Sequence, residues 1–373
     1  MNEPWEKELM LARRALSKGL IDGPRLTRLL LEARGRKQPV AKLLEAAGVP
    51  AARLPELQQG GAPSWALCAE GPLDGRPRTL LGVRCTAVLE QAPFITTWLG
   101  RKGERMVAVH LIGKDAVRQG LWLDFLETVR AAQAVKHPHL LEVLETGKVD
   151  DGFVVITDHP DRGTALRKVL DRLARLKLGE ALRVAREVAE ALAALHAARI
   201  AHRDVKAENV LLGGTGVVFL RHAGIVFSPA ESVSFAPRGT VFGSPHGIGP
   251  ECLKGGPPDP KSDIYALGVV LYELVSGVRP FEGERLEDLR KQHLEVAPVR
   301  PSDVLNDVPG EVSDLLAWML AKSPDDRPTP QKLVGVLQGL EKTLKGAGMI
   351  TARGTARITD MGFKSPTTDF GPV

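Results

Sequence analysis

The sequence predicts an α+β fold in which a strand-rich part precedes a helical part, with a small all-α module before both. Residues 5–58 contain short amphipathic segments with helical periodicity. Residues 84–157 contain short β-like segments separated by turns, with one helical stretch at 121–135 among them. From residue 167 onward, the long apolar patterns have helical periodicity. Strands followed by a run of helices are typical of the α+β class.

Composition excludes several classes of protein. With 43% apolar and 25% charged residues among 373, the chain has the composition of an ordinary globular protein. The net charge is only +5 and no basic run carries interleaved aromatic residues, so we expect no nucleic-acid binding. The longest nearly apolar run, 264–275, is shorter than the roughly 20 residues of a membrane span. The three cysteines form no CxxC pair, which favours a cytoplasmic protein without disulfides or zinc.

Composition also suggests the domain boundaries. Residues 1–59 form the helical module, with Leu9, Ala12 and Leu16 on one stripe of its first helix. Residues 60–81 are rich in Gly and Pro and are predicted to be a linker. The main domain is predicted over 82–342. Residues 343–373 are predicted to be a disordered tail.

The most informative stretch is His202–Asn209, which reads HRDVKAEN and lies between a predicted helix and a short apolar strand. Downstream, GSPHGIGPE at 243–251 and SDIYALGVVLYEL at 262–274 follow in order, and a late arginine follows at Arg327. Together these patterns resemble the Ser/Thr protein kinase family over about residues 82–340. The resemblance implies a bilobal, protein-kinase-like fold with a β-rich N-lobe and an α-helical C-lobe.

The resemblance also implies roles for the residues of this loop. In the family, the residue at Asp204 accepts the proton of the substrate hydroxyl, and the residue at Asn209 holds a magnesium ion. Lys206 matches the Ser/Thr form of the loop. These three are therefore the candidate catalytic residues, with Asn209 the candidate metal ligand.

Four further positions have structural roles in the family. Asp263 is expected to accept hydrogen bonds from the backbone of the catalytic loop. Glu251 and Arg327 are expected to form a buried ion pair, which stabilises only when both partners are present. Arg203 corresponds to the arginine that can hold a phosphate on the activation segment, for which Ser232, Ser234 and Thr240 are candidate acceptors.

The nucleotide site is identified through the same resemblance. Ala108 and Leu211 correspond to the residues that sandwich the adenine base. Asp158 and His159 lie in the hinge, directly after the gatekeeper position. His110 stands where the family has its phosphate-binding lysine, and His222 stands where it has the metal-binding aspartate of the DFG motif.

Several of these positions depart from the family pattern. The glycine-rich loop has no glycine, and Glu90 places a negative charge where phosphates would lie. A histidine at 110 is mostly neutral at pH 7 and replaces a lysine. Thr128 replaces the helix glutamate that pairs with that lysine. Neutral His222 is a weak ligand for a hard ion such as Mg²⁺. No cofactor is therefore assigned firmly, with ATP and Mg²⁺ as the candidates.

The preferred interpretation is a pseudokinase that acts as a signalling scaffold or allosteric regulator of a protein partner such as an active kinase. Residues 1–59 resemble the small N-terminal modules of type II secretion ATPases and are interpreted as an interaction module. The alternative is a weak or unorthodox kinase or nucleotidyl transferase. In that case Arg101, Lys102 or Lys114 would hold phosphates, and His110 with His222 would bind Mn²⁺ or Zn²⁺.

Overall fold

The computed structural model describes residues 3–58, 78–91, 95–114, 122–160, 163–225, 246–256 and 259–350. Most of the predicted linker, the three candidate phosphoacceptors and the tail beyond residue 350 lie outside these ranges.

The described residues form helices and strands in the predicted order. The helices are α1 Glu3–Ser17, α2 Gly23–Arg36, α3 Val40–Ala46, α4 Leu54–Gln58, α5 Trp122–Ala134, α6 Leu166–Leu173, α7 Leu178–Ala197, α8 Pro250–Leu253, α9 Pro260–Ser276, α10 Leu286–Glu295, α11 Gly310–Met319 and α12 Pro330–Gly346. The strands are β1 Thr79–Leu80, β2 Val83–Gln91, β3 Ile95–Lys102, β4 Arg105–Gly113, β5 Val143–Val149, β6 Gly152–Asp158, β7 Thr164–Ala165, β8 Val210–Leu212 and β9 Val218–Leu220. No described helix has both the length and the apolar character needed to cross a membrane.

The N-lobe is an antiparallel sheet with strand order β1-β2-β3-β4-β6-β5. It has six strands rather than the five predicted, because Thr79 and Leu80 pair with Arg84 and Val83. The prediction that residues 60–81 are all linker is therefore wrong at its C-terminal end. Leu80 is buried in the sheet core, which explains why the strand begins before the predicted domain boundary.

The C-lobe is built around α9, in which most side chains are buried. A capping box between Asp259 and Ser262 fixes the start of this helix, and Gly277 ends it with φ of 78°. The last helix, α12, continues to Gly346, so the predicted start of the disordered tail at residue 343 is wrong. Leu344 is buried, and its burial extends the apolar stripe of the helix.

The N-terminal module packs directly on the C-lobe. Residues of α1–α4 and of the C-lobe helices belong to one continuous apolar core. The Thr27 hydroxyl donates a hydrogen bond to the Pro280 carbonyl at 3.0 Å. At Gly23, a Cβ atom would lie 2.7 Å from Oε1 of Gln292, so the two surfaces meet at van der Waals distance. The module is thus part of the folded body.

Candidate functional site

Asp263 of α9 accepts hydrogen bonds from the backbone of the catalytic loop. One carboxylate oxygen accepts a hydrogen bond from the His202 amide at 2.7 Å, and the other accepts one from the Arg203 amide at 2.8 Å. His196 bonds the same carboxylate at 2.8 Å. The predicted contact between Asp263 and the loop backbone is therefore confirmed. This contact stabilises the backbone of Arg203, whose φ of 72° lies in the left-handed region that is unfavourable for residues other than glycine.

The three candidate catalytic side chains lie together. Lys206 Nζ lies 2.7 Å from Oδ2 of Asp204, and the Asn209 amide nitrogen donates to the same oxygen at 2.6 Å. Asn209 also donates to the Asp204 carbonyl at 2.7 Å, which fixes the turn. The Asp204 carboxylate is thus neutralised and positioned by its own loop. A carboxylate held in this way can orient a substrate hydroxyl. The same contacts would also be needed if Asp204 served only to hold the loop in shape.

The predicted buried ion pair of Glu251 with Arg327 is present as well. Arg327 donates to both oxygens of Glu251, at 2.9 and 2.7 Å, and its side chain is fully buried. Its Nε donates to the Ala321 carbonyl, and the same Nη1 and Nη2 atoms that bond Glu251 also donate to the carbonyls of Lys261 and Lys322. Every charge in this buried pair is therefore hydrogen-bonded, as stability requires.

His110 lies on β4, at the position where the family has its phosphate-binding lysine. Its ring is hydrogen-bonded to two threonines. Its Nδ1 lies 2.9 Å from the Thr97 hydroxyl, and its Nε2 lies 3.0 Å from the Thr157 hydroxyl. Burial lowers the pKa of His110 to about 3, with the charges of Arg221 and His159 adding to the effect. The side chain is therefore neutral at pH 7 and has no ring nitrogen left for a phosphate.

His222 lies beside His110, with ring centroids 5.0 Å apart in an edge-to-face arrangement. Burial lowers the pKa of His222 well below its usual value, and the charges of Arg221, His110 and Lys206 lower it further. Because both nitrogens of His110 are already bonded, the two rings are not arranged to share a metal ion. Among the described residues, no group of three or more His, Cys, Asp or Glu side chains is placed to hold one.

The hinge offers little to a nucleotide base. The Asp158 amide donates to the Glu142 carbonyl at 2.9 Å, and the His159 amide donates to the Met106 carbonyl at 3.2 Å. Pro160 has no N–H to donate. Ala108 and Leu211, the two positions that would sandwich the base, each expose only 4% of their surface. The three hinge residues 158–160 therefore have no backbone donor available for a purine.

Helix α5 is docked without the ion pair that the family uses. Glu127, one residue before the pairing position, is exposed, while Thr128 at the pairing position is half-buried. Phe125 and Val129 pack against Ile112 and Ile225 in a shared apolar cluster. Apolar packing therefore holds this helix against the sheet.

One contact in the cleft was not predicted. Glu90 of β2 accepts a hydrogen bond from Nη2 of Arg221, which follows β9, at 2.6 Å. The sequence shows the charge at Glu90, but its partner lies 131 residues away on the other lobe. No local pattern pairs a strand with a loop at that distance.

A second unpredicted feature is an ionic network beneath the catalytic loop. Arg167 of α6 donates to Glu208 of the loop at 3.2 Å and to both oxygens of Glu273 at 2.8 and 2.6 Å. Arg279 lies 3.6 Å from the same Glu273 carboxylate. These charges anchor the catalytic loop to α9.

The basic residues suggested as alternative phosphate ligands lie elsewhere. Arg101 and Lys102 are exposed at the turn between β3 and β4. Arg101 donates to the Gly103 carbonyl at 3.0 Å, and Lys102 pairs with Glu145. Lys114 is exposed at the other end of β4. The structure therefore does not bring these three residues together.

ATP with Mg²⁺, which the resemblance implies, does not fit these residues. Mg²⁺ requires several oxygen ligands in near-octahedral geometry. Asn209 Oδ1 is buried without a partner among the described residues, but the Asp204 carboxylate beside it is bonded to Lys206. Neutral His222 replaces the second carboxylate, and Arg221 adds positive charge. The site thus lacks the second carboxylate that would bind Mg²⁺, and β4 supplies no charged side chain for the phosphates.

Comparison with known proteins agrees with the fold. Residues 96–336 match the family described as protein kinase domain. The chain is 35% identical over 277 residues to the serine/threonine-protein kinase PkaB of Streptomyces coelicolor, covering 71% of this chain and 65% of that protein. It is 29% identical over 225 residues to the serine/threonine-protein kinase PrkC of Bacillus subtilis, covering 60% of this chain and 34% of that protein.

The chain therefore spans about two thirds of the first relative and a third of the second. The family model covers more than half of the chain, and the observed N-lobe sheet, helical C-lobe and catalytic loop have the order that the family requires. The chain belongs to the Hanks-type family of bacterial serine/threonine protein kinases.

Proposed function

We propose that this protein is a pseudokinase, a kinase-shaped binding module that works through contacts with other proteins rather than through phosphoryl transfer. The observation that carries the proposal is His110. Catalysis of phosphoryl transfer consists almost entirely of positioning and neutralising phosphate charge. A buried, neutral histidine whose two ring nitrogens are bonded to Thr97 and Thr157 supplies no such charge.

Two further observations support the same conclusion. The backbone amides of 158 and 159 are already hydrogen-bonded, so neither is available as a donor to a base. His222 lies in a positive environment, which disfavours a metal ion. Each lost electrostatic group costs about 10²–10³ in rate where such groups have been deleted singly. Several losses in one site leave little of a kinase rate of about 1–100 s⁻¹.

The proposed role is that of a scaffold or allosteric regulator in the cytoplasm, with a protein partner such as an active kinase. Its binding surface is composite, because the N-terminal module and the C-lobe share one core. The lobes need no nucleotide to hold the regulatory helix, since α5 is fixed by Phe125, Val129 and Ile225. A rigid body of this kind suits a scaffold.

A slow phosphotransferase is the second candidate, favoured by the intact contacts among Asp204, Lys206 and Asn209. A phosphotransfer assay separates the two. We expect the purified full chain, given ATP with Mg²⁺ or Mn²⁺ and a basic acceptor protein, to incorporate no more phosphate than its Asp204→Asn variant. Incorporation by the wild type that Asp204→Asn abolishes would establish the slow enzyme instead.

A further inference from the structure

Lys322 follows α11 and lies against buried aromatic rings of the C-lobe, away from the cleft. Its Nζ atom lies 4.3 Å from the centroid of the Phe281 ring and 6.0 Å from that of the Tyr265 ring. The same atom donates a hydrogen bond to the Gln292 carbonyl of α10 at 3.1 Å. Lys322 is half-buried, whereas both rings are buried, so part of this lysine remains in contact with solvent.

No carboxylate balances the charge of Lys322 among the residues that the structure describes. The charged group closest to it in effect is another cation, Arg327, whose guanidinium carbon lies 4.8 Å from the centroid of the same Tyr265 ring. Glu251 is already paired with Arg327 at 2.7 Å. The aromatic ring and the Gln292 carbonyl favour an ammonium as dipoles, but neither supplies a full negative charge. A neutral amine keeps an N–H for that carbonyl, so loss of the proton costs no hydrogen bond.

The other titratable groups around this amine supply no anion either. The Tyr265 hydroxyl and His293 Nδ1 lie 2.8 Å apart and are bonded to each other. Burial lowers the pKa of His293 to about 3, and the charge of Lys322 adds to the effect, so the ring is neutral. Lys261 donates to the Arg327 carbonyl at 2.6 Å and adds a further positive charge to this region. Burial, together with Arg327, lowers the pKa of Lys322 to about 7.

These surroundings make Lys322 a nucleophile at neutral pH. A lysine reacts only as the free amine, and desolvation or a neighbouring cation increases the population of that form. At pH 7 an ordinary lysine, with a pKa of about 10.4, is neutral in fewer than about one molecule in a thousand. With a pKa of about 7, Lys322 is neutral in about half of the molecules.

We propose that Lys322 is a site of covalent N-acylation by small acyl phosphates. Nζ attacks the acyl carbon and forms an amide bond, the bond from that carbon to the phosphate oxygen breaks, and inorganic phosphate leaves with the electron pair. The proton of Nζ passes to water, and the amide keeps one N–H for the Gln292 carbonyl. The reagent must be small because the amine is half-buried beside the Phe281 ring. This site goes beyond the proposed function and is independent of phosphoryl transfer in the cleft.

Acetylation of the folded full chain by acetyl phosphate at pH 7 tests the proposal, with the modification of each lysine followed by peptide mass spectrometry. We expect an initial rate at Lys322 at least about tenfold above that at Lys332. Lys332 is the matched control, because its Nζ also lies over a ring, 4.9 Å from the centroid of Trp318, but the residue is exposed. In the chain unfolded in guanidinium chloride the two rates should become equal, since the fold supplies the activation.

The pH dependence provides a second readout that needs no variant. Between pH 7 and 9 the rate at Lys332 should rise about tenfold per pH unit, whereas the rate at Lys322 should level off above about pH 8. A rate at Lys322 no higher than that at Lys332 in the folded chain, or a rate that rises tenfold per unit up to pH 9, would overturn the proposal. Neither result bears on the pseudokinase proposal, which phosphotransfer by the wild type would overturn on its own.

Discussion

Arg13 of the N-terminal module donates two hydrogen bonds to the same carboxylate oxygen of Glu282 in the C-lobe. The Nε and Nη2 atoms lie 2.9 and 2.6 Å from that oxygen, and the two side chains expose only 7% and 3% of their surfaces. A pair so far removed from solvent is stable only when both charges are present. The module is therefore fixed to the C-lobe by a specific polar contact within an apolar interface.

Loss of this pair should destabilise the whole domain. We expect Arg13→Met to lower the free energy of unfolding by up to about 3–5 kcal/mol, because it leaves the buried Glu282 carboxylate with Arg279, 4.0 Å away, as the remaining ion-pair partner among the described residues. Urea unfolding of the full chain measures the change. The control is Lys18→Met, which breaks the exposed pair with Glu56 and should cost less than about 1 kcal/mol. Equal stability of the two variants would show that the module is only loosely attached.

The contact below the catalytic loop predicts a local effect. Asp263→Ala removes the acceptor for the His202 and Arg203 amides and leaves one buried and one partly buried amide without a partner. Each such group costs about 1–3 kcal/mol. We expect amide exchange of residues 202–204 to accelerate strongly. Asp303→Ala, at a position whose side chain is 48% exposed, should leave that exchange unchanged. Unaltered exchange in Asp263→Ala would contradict the assigned role.

The buried histidines predict how stability depends on pH. The pKa values of His110 and His293 are lowered to about 3, mainly by burial. In the unfolded chain both bind a proton near pH 6.5, so the unfolded state holds more protons between pH 6.5 and 3. Their contribution to the free energy of unfolding is therefore complete above pH 6.5. It is lost as the pH falls towards 3, by about 1.4 kcal/mol per pH unit for each ring.

Urea unfolding of the wild type between pH 7 and 5 measures this slope. His110→Gln keeps a side chain that can bond both threonines and cannot titrate, so its stability should fall less steeply with acid. His293→Gln should remove a similar slope. Glu251 and Glu273, whose pKa values are lowered despite burial, act only at more acidic pH. An unchanged slope in His110→Gln would show that this ring is accessible to protons in the folded state.

Much of the fold and part of the site follow from local sequence. The catalytic-loop contacts of Asp263 and the pair of Glu251 with Arg327 lie in motifs whose geometry is fixed by short segments. The pairing of Glu90 with Arg221 depends on how two lobes close, which no local period encodes. Docking of the N-terminal module is equally non-local, since Arg13 meets a residue 269 positions away.

The environment of His110 could be predicted from the sequence only in part. Its identity is visible in the sequence, and so is the loss of the lysine. Its two threonine partners are set by strand register, which pairs Thr97 with His110 across β3 and β4 and places Thr157 on the neighbouring β6. The sequence predicts a neutral ring, whereas only the structure shows that the ring is committed to two hydrogen bonds.

Thermal unfolding of the full chain with millimolar ATP, with and without Mg²⁺ or Mn²⁺, tests the central claim most directly. A ligand at 100 times its dissociation constant stabilises by about 2.7 kcal/mol, which raises the midpoint by several degrees for a domain of this size. We predict no shift under any of these conditions. A metal-dependent shift that disappears in Asn209→Ala would show that the cleft binds nucleotide, and would contradict the assignment of a pseudokinase.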